Sequence, residues 1–277
     1  MQNLASLNNI GSIGIKSWPK NDIFDPTLVS GLSLDINFRN NSALTITSSP
    51  DIDAVDDPIS SYHFKQSTAS KKPEIVTVNG KQYARFTTDD NLDELTHVAY
   101  AFRFHTKGMI SFAFIPRLLS SSPILNAGDA DNVRYWSARV ALIGGTSMRL
   151  SFVMKYSGTN TDQVYGDTEL DVDEPVVCTV ISEGAGTPYK LRVNGVLQTN
   201  TVASGGDNGK WFANTSPALY SYIDTMCIGS VPISNGHAGY AEGDIDRILY
   251  YGNVTVSDAD IAYVERGLAA EIGATLA

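Results

Sequence analysis

The sequence predicts an all-β sandwich closed by one short C-terminal helix. Three observations carry this prediction: short alternating runs from Pro26 onward, two Asn-Gly pairs each set between such runs, and helical periodicity confined to the end of the chain. Met148, Leu150, Phe152 and Met154 form one face of a run whose other face holds Arg149, Ser151 and Lys155. Ile110, Phe112 and Phe114 form a second such face, opposed by Ser111 and Ala113. Asn79-Gly80 and Asn194-Gly195 mark antiparallel hairpins, because a type I′ turn needs positive φ at both central residues. With so little helical pattern between the strands, a sandwich is favoured over a βαβ fold.

The closing segment changes period. Gly243 to Tyr251 reads as a strand, with Ile245, Leu249 and Tyr251 turned to one side, followed by a Gly252-Asn253 turn. Ser257 then stands as an N-cap with Asp260 three residues on, and Gly273 sits where a C′ glycine belongs. Between them Ile261, Val264, Leu268 and Ile272 recur at helical spacing, with Glu265, Arg266 and Glu271 opposite. The helix expected over 258–272 therefore lays an apolar stripe on the sandwich. At roughly 1.5–3 kcal/mol per buried large side chain, that stripe outweighs the roughly 1 kcal/mol lost to Gly267 within it.

A chain of 277 residues suits one large all-β domain. Domains of roughly 300 residues bury about 75% of the surface their unfolded chains expose, so folding needs neither disulfide nor metal. Cys178 and Cys227 each lie in an apolar run and read as buried strand thiols, with pairing across two strands as the alternative. The net charge of −10 and the lack of any Lys/Arg cluster argue against nucleic acid as a partner. No apolar stretch approaches the length of a membrane span. Met1 to Lys20 has neither a basic start nor a continuous apolar segment, so synthesis in a cytoplasm without a signal peptide is expected.

Residues 1–25 read as an N-terminal arm, bracketed from the domain 26–277 by Pro19 and Pro26. Its isolated apolar residues Leu4, Leu7, Ile10, Ile13 and Trp18 would either anchor it to a partner or lie as an irregular first strand on the sandwich.

A family pattern emerges from three separated stretches. Gly243-Asp244-Ile245-Asp246-Arg247-Ile248-Leu249-Tyr250-Tyr251, with the capped helix ending Leu268-Ala269-Ala270-Glu271-Ile272-Gly273, resembles the closing segment of laminin-G-like, concanavalin A-like modules. Lys190-Leu191-Arg192-Val193-Asn194-Gly195 is similar to a hairpin of those modules, and Ala84-Arg85-Phe86 with Asp89-Asp90-Asn91-Leu92 to their early strand. The resemblance spans most of Leu28 to Gly273 and departs at Ser60-Ser61-Tyr62-His63-Phe64, where the family carries a Trp-rich stretch. It implies a concanavalin A-like jelly-roll sandwich. Such sandwiches serve as lectins, adhesion modules, glycoside hydrolases and phage structural proteins, so the fold alone does not choose among them.

Three stretches hold residues suited to chemistry or binding. Glu169-Leu170-Asp171-Val172-Asp173-Glu174 resembles the Glu-x-Asp-x-x-Glu strand of one group of concanavalin A-like glycoside hydrolases, which implies Glu169 as nucleophile, Glu174 as acid/base and Asp171 as their modulator. Retaining chemistry needs carboxyls about 5–5.5 Å apart. Pro175 follows at once, however, and the run also fits a strand end turning into the next strand. Asp129-Ala130-Asp131-Asn132 offers closely spaced oxygens of the kind Ca²⁺ takes, and equally the make-up of an ordinary turn; no metal is expected. The loop from Ser204 to Ser216 carries Asp207, Asn208, Trp211 and Phe212, with Tyr220 beyond it. It reads as a sugar-stacking or docking tip, or as a satellite core with both rings tucked in. His63, His97, His105 and His237 show no ligand spacing and read as satisfied surface or core histidines.

The expectation is a non-enzymatic structural protein of a phage virion, as a head-decoration, fibre or tail-associated protein. Its partners would be other virion proteins and copies of itself in a homo-oligomer, with no cofactor. A carbohydrate-binding, lectin-like module recognising a cell-surface glycan is the alternative, and a glycoside hydrolase the third reading.

Overall fold

Alternating apolar residues fold the chain into two antiparallel sheets that share one core. The computed structural model describes residues 24–94, 102, 104–128, 134–156, 160–214, 225–233 and 236–277. The eight-stranded sheet runs in the order β15 (Val196–Leu197), β14 (Lys190–Val193), β13 (Val176–Ser182), β8 (Gly108–Pro116), β20 (Gly243–Gly252), β6 (Lys81–Phe86), β5 (Glu74–Val78). β1 (Leu32–Asn37) takes the remaining length of β20, beyond its pairing with β6. The ten-stranded sheet runs β16 (Thr201–Ser204), β12 (Thr161–Tyr165), β11 (Ser147–Lys155), β10 (Tyr135–Ile143), β9 (Ser122–Gly128), β17 (Thr225–Ile228), β7 (Leu92–Glu94), β4 (His63–Lys65), β3 (Ala54–Asp56), β2 (Leu44–Thr45). A separate hairpin of β18 (Ser230–Ile233) and β19 (Gly236–Tyr240) packs against β9.

Both Asn-Gly pairs turn hairpins as predicted. Asn79 and Gly80 have φ of 52° and 75°, and Asn194 and Gly195 have 47° and 84°, the two left-handed positions that a type I′ turn demands. Ile110, Phe112 and Phe114 meet Leu150, Phe152 and Met154 between the sheets. On the far side of the eight-stranded sheet, Met109, Ala113, Ile115, Leu249 and Tyr251 form a second core beneath α1 (Asp258–Ile272). Ser257 Oγ accepts from the Asp260 amide at 3.2 Å, and Gly273 ends the helix at φ 88°.

The closing strand departs from the expected phase. Ile245 faces the inter-sheet core, whereas Leu249 and Tyr251 face the helix. A register shift between Ile245 and Arg247 leaves Asp246 as an extra residue, and one inserted residue inverts every later side chain. The strand buries three charges, Asp244 before the bulge and Asp246 and Arg247 at it. Asp244 is held by Arg85 (2.7 and 2.9 Å) and Arg117 (2.6 and 2.8 Å), Asp246 by Arg39, and Arg247 by Asp35 (2.7 Å) and Glu271 (2.9 Å). Glu265, also expected on the solvent face, is buried and paired with Arg192 at 2.9 Å. Both helix glutamates thus lie in the seam with the sheet, because arginines of β14 and β20 need partners there. Burial pushes Asp246 up to about 6 and Glu271 to about 7, against the pull of Arg39 and Arg247.

Phe24 sits on the helix where Gly267 leaves room, its ring 5.6 Å from that of Tyr263. The last residues of the expected arm are therefore part of the helix layer, while Leu4, Leu7, Ile10, Ile13 and Trp18 lie outside the described residues.

Two predictions follow from this seam. Gly267→Ala should lower stability by about 1–3 kcal/mol despite a helix-propensity gain of about 1 kcal/mol, since its methyl would overlap the Phe24 ring. Urea unfolding would show this, with the loss shrinking when Phe24→Ala is added. Glu271 has a folded pKa raised from 4.5 to about 7, so its contribution to stability is full below about pH 4.5 and fades as pH rises through 7. Glu271→Gln should flatten the fall in stability between about pH 4.5 and 7, by on the order of 2 kcal/mol in equilibrium unfolding.

Candidate functional site

The aromatic loop proves to be core. Trp211 is fully buried and stacks on Phe152 at 5.2 Å, Phe212 meets Trp136 edge-on at 4.5 Å, and Trp211 Nε1 donates to the Tyr250 hydroxyl at 3.2 Å. An exposed tip would leave this ring area in water, whereas the open end of the sandwich gives it a dry site. Asp207 and Asn208 hold the loop in place. Asp207 accepts from the Tyr189 amide (2.7 Å) and Asn200 Nδ2 (2.9 Å), while Asn208 Nδ2 donates to buried Asp162 at 2.9 Å. Of the two readings of this loop, Trp211 and Phe212 follow the satellite core, while Asp207 and Asn208 stay half-buried. Tyr220, Asp129, Asp131 and His97 lie outside the described residues.

The acidic run also resolves into structure. Leu170 makes a single bridge to Met148, Asp173 turns the chain at φ 67°, and Pro175 leads into β13. Glu169 pairs with Arg149 at 3.1 Å and Asp173 with Arg117 at 2.6 Å. Glu169, Asp171 and Glu174 line a cavity of about 100 Å³, smaller than the roughly 300–1,000 Å³ of ordinary ligand sites. A wider cleft of about 640 Å³ opens beside Phe24, Asp35, Arg247 and Glu271. In it Arg247 binds Asp35 and Glu271, and Oε2 of Glu271 is buried without a partner. Both cysteines are free and buried: Cys178 lies between the sheets, and Cys227 on the opposite, outer side of the ten-stranded sheet.

That outer face is polar. Core-facing Trp136, Ala138, Phe152 and Val164 alternate with outward residues, and register aligns the outward ones in rows. One row reads Gln163, Val153, Ser137, Asn126, Cys227, Asp93, Lys65 across seven strands. The next holds Tyr165, Ser151 and Arg139. Ser137 and Asn126 are fully buried, yet Ser137 Oγ, Asn126 Oδ1 and Arg139 Nε have no hydrogen-bond partner. Burial pulls Arg139 below the usual guanidinium range. Half-buried Tyr135 and Tyr165 flank this floor, with Lys155 5.7 Å and Arg149 5.8 Å from their ring centres.

At one end of the row, three side chains from separate elements converge. His237 Nε2 lies 3.0 Å from Asp93 Oδ2, and its Nδ1 lies 2.8 Å from Ser230 Oγ and 3.9 Å from Cys227 Sγ. Burial and the neighbouring Asp93 carboxylate push the Cys227 thiol far up, so it is no nucleophile as it stands. Sequence reasoning set His237 aside for want of ligand spacing. Alternation alone shows that Ser137 and Arg139 share a face, but only register shows Asn126, Cys227 and Asp93 beside them.

No known family profile matches the chain, and no curated protein sequence does. Solved structures do. Domain 4 of AbnA, a GH43 extracellular arabinanase from Geobacillus stearothermophilus, in complex with arabinotriose, superposes over 84% of this chain and 97% of its own, with TM-score 0.51 and 12% identity. The NanB sialidase from Streptococcus pneumoniae, as its K499G mutant, matches over 65% of this chain and 27% of its own, with TM-score 0.50 and 14% identity. The chain has the concanavalin A-like jelly-roll fold. The CBM40 of a Ruminococcus gnavus IT-sialidase, bound to α2,3-sialyllactose, is similar over 59% of this chain and 84% of its own, with TM-score 0.48 and 14% identity.

Trp211→Ala should cost about 3–5 kcal/mol in equilibrium unfolding, as a truncated core aromatic does. An unchanged unfolding midpoint would return the ring to the surface.

Proposed function

We propose that the chain is a non-catalytic, lectin-like carbohydrate-binding module whose ligand face is the outer face of the ten-stranded sheet. The observation that carries this reading is the set of unpartnered polar atoms on Ser137, Asn126 and Arg139 beneath two half-buried tyrosines. A buried polar group left without a partner costs about 1–3 kcal/mol, and sugar hydroxyls would supply both donors and acceptors to such groups. Tyr135 and Tyr165 would offer ring faces to the apolar side of a pyranose or furanose. Arg139, Gln163 and the two tyrosines form the accessible rim, and Ser137 with Asn126 the floor. That a domain of the same fold is solved with arabinotriose supports a glycan as the class of ligand.

The residues expected to anchor the arm in an attachment role on a virus particle, Leu4, Leu7, Ile10, Ile13 and Trp18, lie outside the described residues.

Screening the purified chain on an array of neutral and acidic oligosaccharides tests the reading. Retention of at least one glycan is expected, weakened about tenfold or more, or roughly 1.4 kcal/mol, by Arg139→Ala and by Tyr165→Ala. Retention that both variants leave intact, or none at all, would remove this face as the site.

A further inference from the structure

We propose that Asp93, Cys227 and His237 form a zinc-class cation site that ties the β18–β19 hairpin to the ten-stranded sheet. One ligand atom from each residue lies within 4.8 Å of the other two, with the carboxylate of β7, the thiol of β17 and the imidazole of β19 meeting at one end of the polar row. Donors around a tetrahedral zinc ion sit roughly 3.3–3.8 Å apart, so the three ligand atoms would draw together by up to about 1–1.5 Å on binding. A sulfur, a nitrogen and an oxygen donor suit a borderline ion such as zinc and poorly suit the all-oxygen preference of calcium or magnesium.

Two further observations point to an occupant. Asp93 Oδ1 is buried and without a hydrogen-bond partner, although its sister oxygen takes both Asn91 Nδ2 (2.7 Å) and His237 Nε2 (3.0 Å). Asn126, fully buried and paired across the register with Cys227, spends its amide nitrogen on Ser230 O of the hairpin (2.7 Å) and leaves Oδ1 without a partner on the same side. Ser230 Oγ, 2.8 Å from His237 Nδ1, and Asn91 Nδ2, 2.7 Å from Asp93 Oδ2, would provide the outer shell that orients ligands in metal sites. On binding, the Cys227 thiol proton leaves to solvent and the thiolate takes its place on the ion. The site adjoins the proposed glycan face, with Asn126 between the two, and serves to hold the hairpin.

The test uses the full chain, stripped with chelator and titrated with Co²⁺ and then Zn²⁺ without any glycan. Expected are one equivalent of Co²⁺ per chain, a thiolate-to-cobalt charge-transfer band that Zn²⁺ abolishes, and a rise in Tm with either ion. Cys227→Ser should remove the band while Cys178→Ser keeps it, and Asp93→Asn and His237→Gln should each weaken binding at least tenfold. If Cys227→Ser does not fold, the Asp93 and His237 variants, checked by circular dichroism before metal is added, decide alone. A wild-type chain that gives no band and no Tm rise, or variants that bind as wild type does, would overturn the site. Glycan retention by the stripped protein is read separately, so either proposal can fail without the other.

Discussion

The sandwich depends on neutralising the charges of its central strand. β20 hydrogen-bonds to β8 along its length and to β6 and β1 on its other edge, yet it carries Asp244, Asp246 and Arg247 into surroundings with almost no water. Such charges are tolerated only when each finds an opposite charge in good geometry; stripping one partner leaves an uncompensated ion at a cost of about 3–5 kcal/mol. The partners come from far apart in the chain: Arg39 and Asp35 near the start, Arg85 on β6, Arg117 after β8, Glu271 on the helix. The charges of β20 are therefore neutralised only in the register that sets these elements beside it, and the helix supplies one of the partners. Apolar burial supplies most of the driving force, but it would tolerate slips that this set of ion pairs does not.

The parts of the fold that sequence reveals are those set by local rules. Positive φ at Asn79-Gly80 and Asn194-Gly195, period-two alternation in β8 and β11, and the Ser257 and Gly273 caps each follow from residues close in the chain. Asp246 shows where that reasoning stops. A bulge is a decision about pairing with β8, invisible in the strand's own pattern, and it reverses the faces assigned to Leu249 and Tyr251 relative to Ile245. The seam glutamates were misplaced for a similar reason: a charged residue on a helix reads as solvent-facing unless its distant arginine is known.

The candidate site was less legible still. Trp211 and Phe212 share a polar Gly/Asn loop with what a binding tip would need, and composition cannot tell a ring held outward from one turned into the end of a sandwich. Asn126, Ser137, Cys227 and Asp93 come from four strands whose order in the sheet does not follow the chain, so no linear spacing announces them. Their shared signal was modest: polar residues opposite a run of large apolar ones.

The molecule is a slab with unlike sides. Ala277 is fastened by its amide to Asn194 O in the hairpin of the eight-stranded sheet, 3.1 Å away, on the side that the helix covers. A tether attached there leaves from the back of the slab. Molecules immobilised through that side would all stand with the tyrosines and Arg139 turned toward the solution, so that many weak contacts could be made at once by a dense layer of copies.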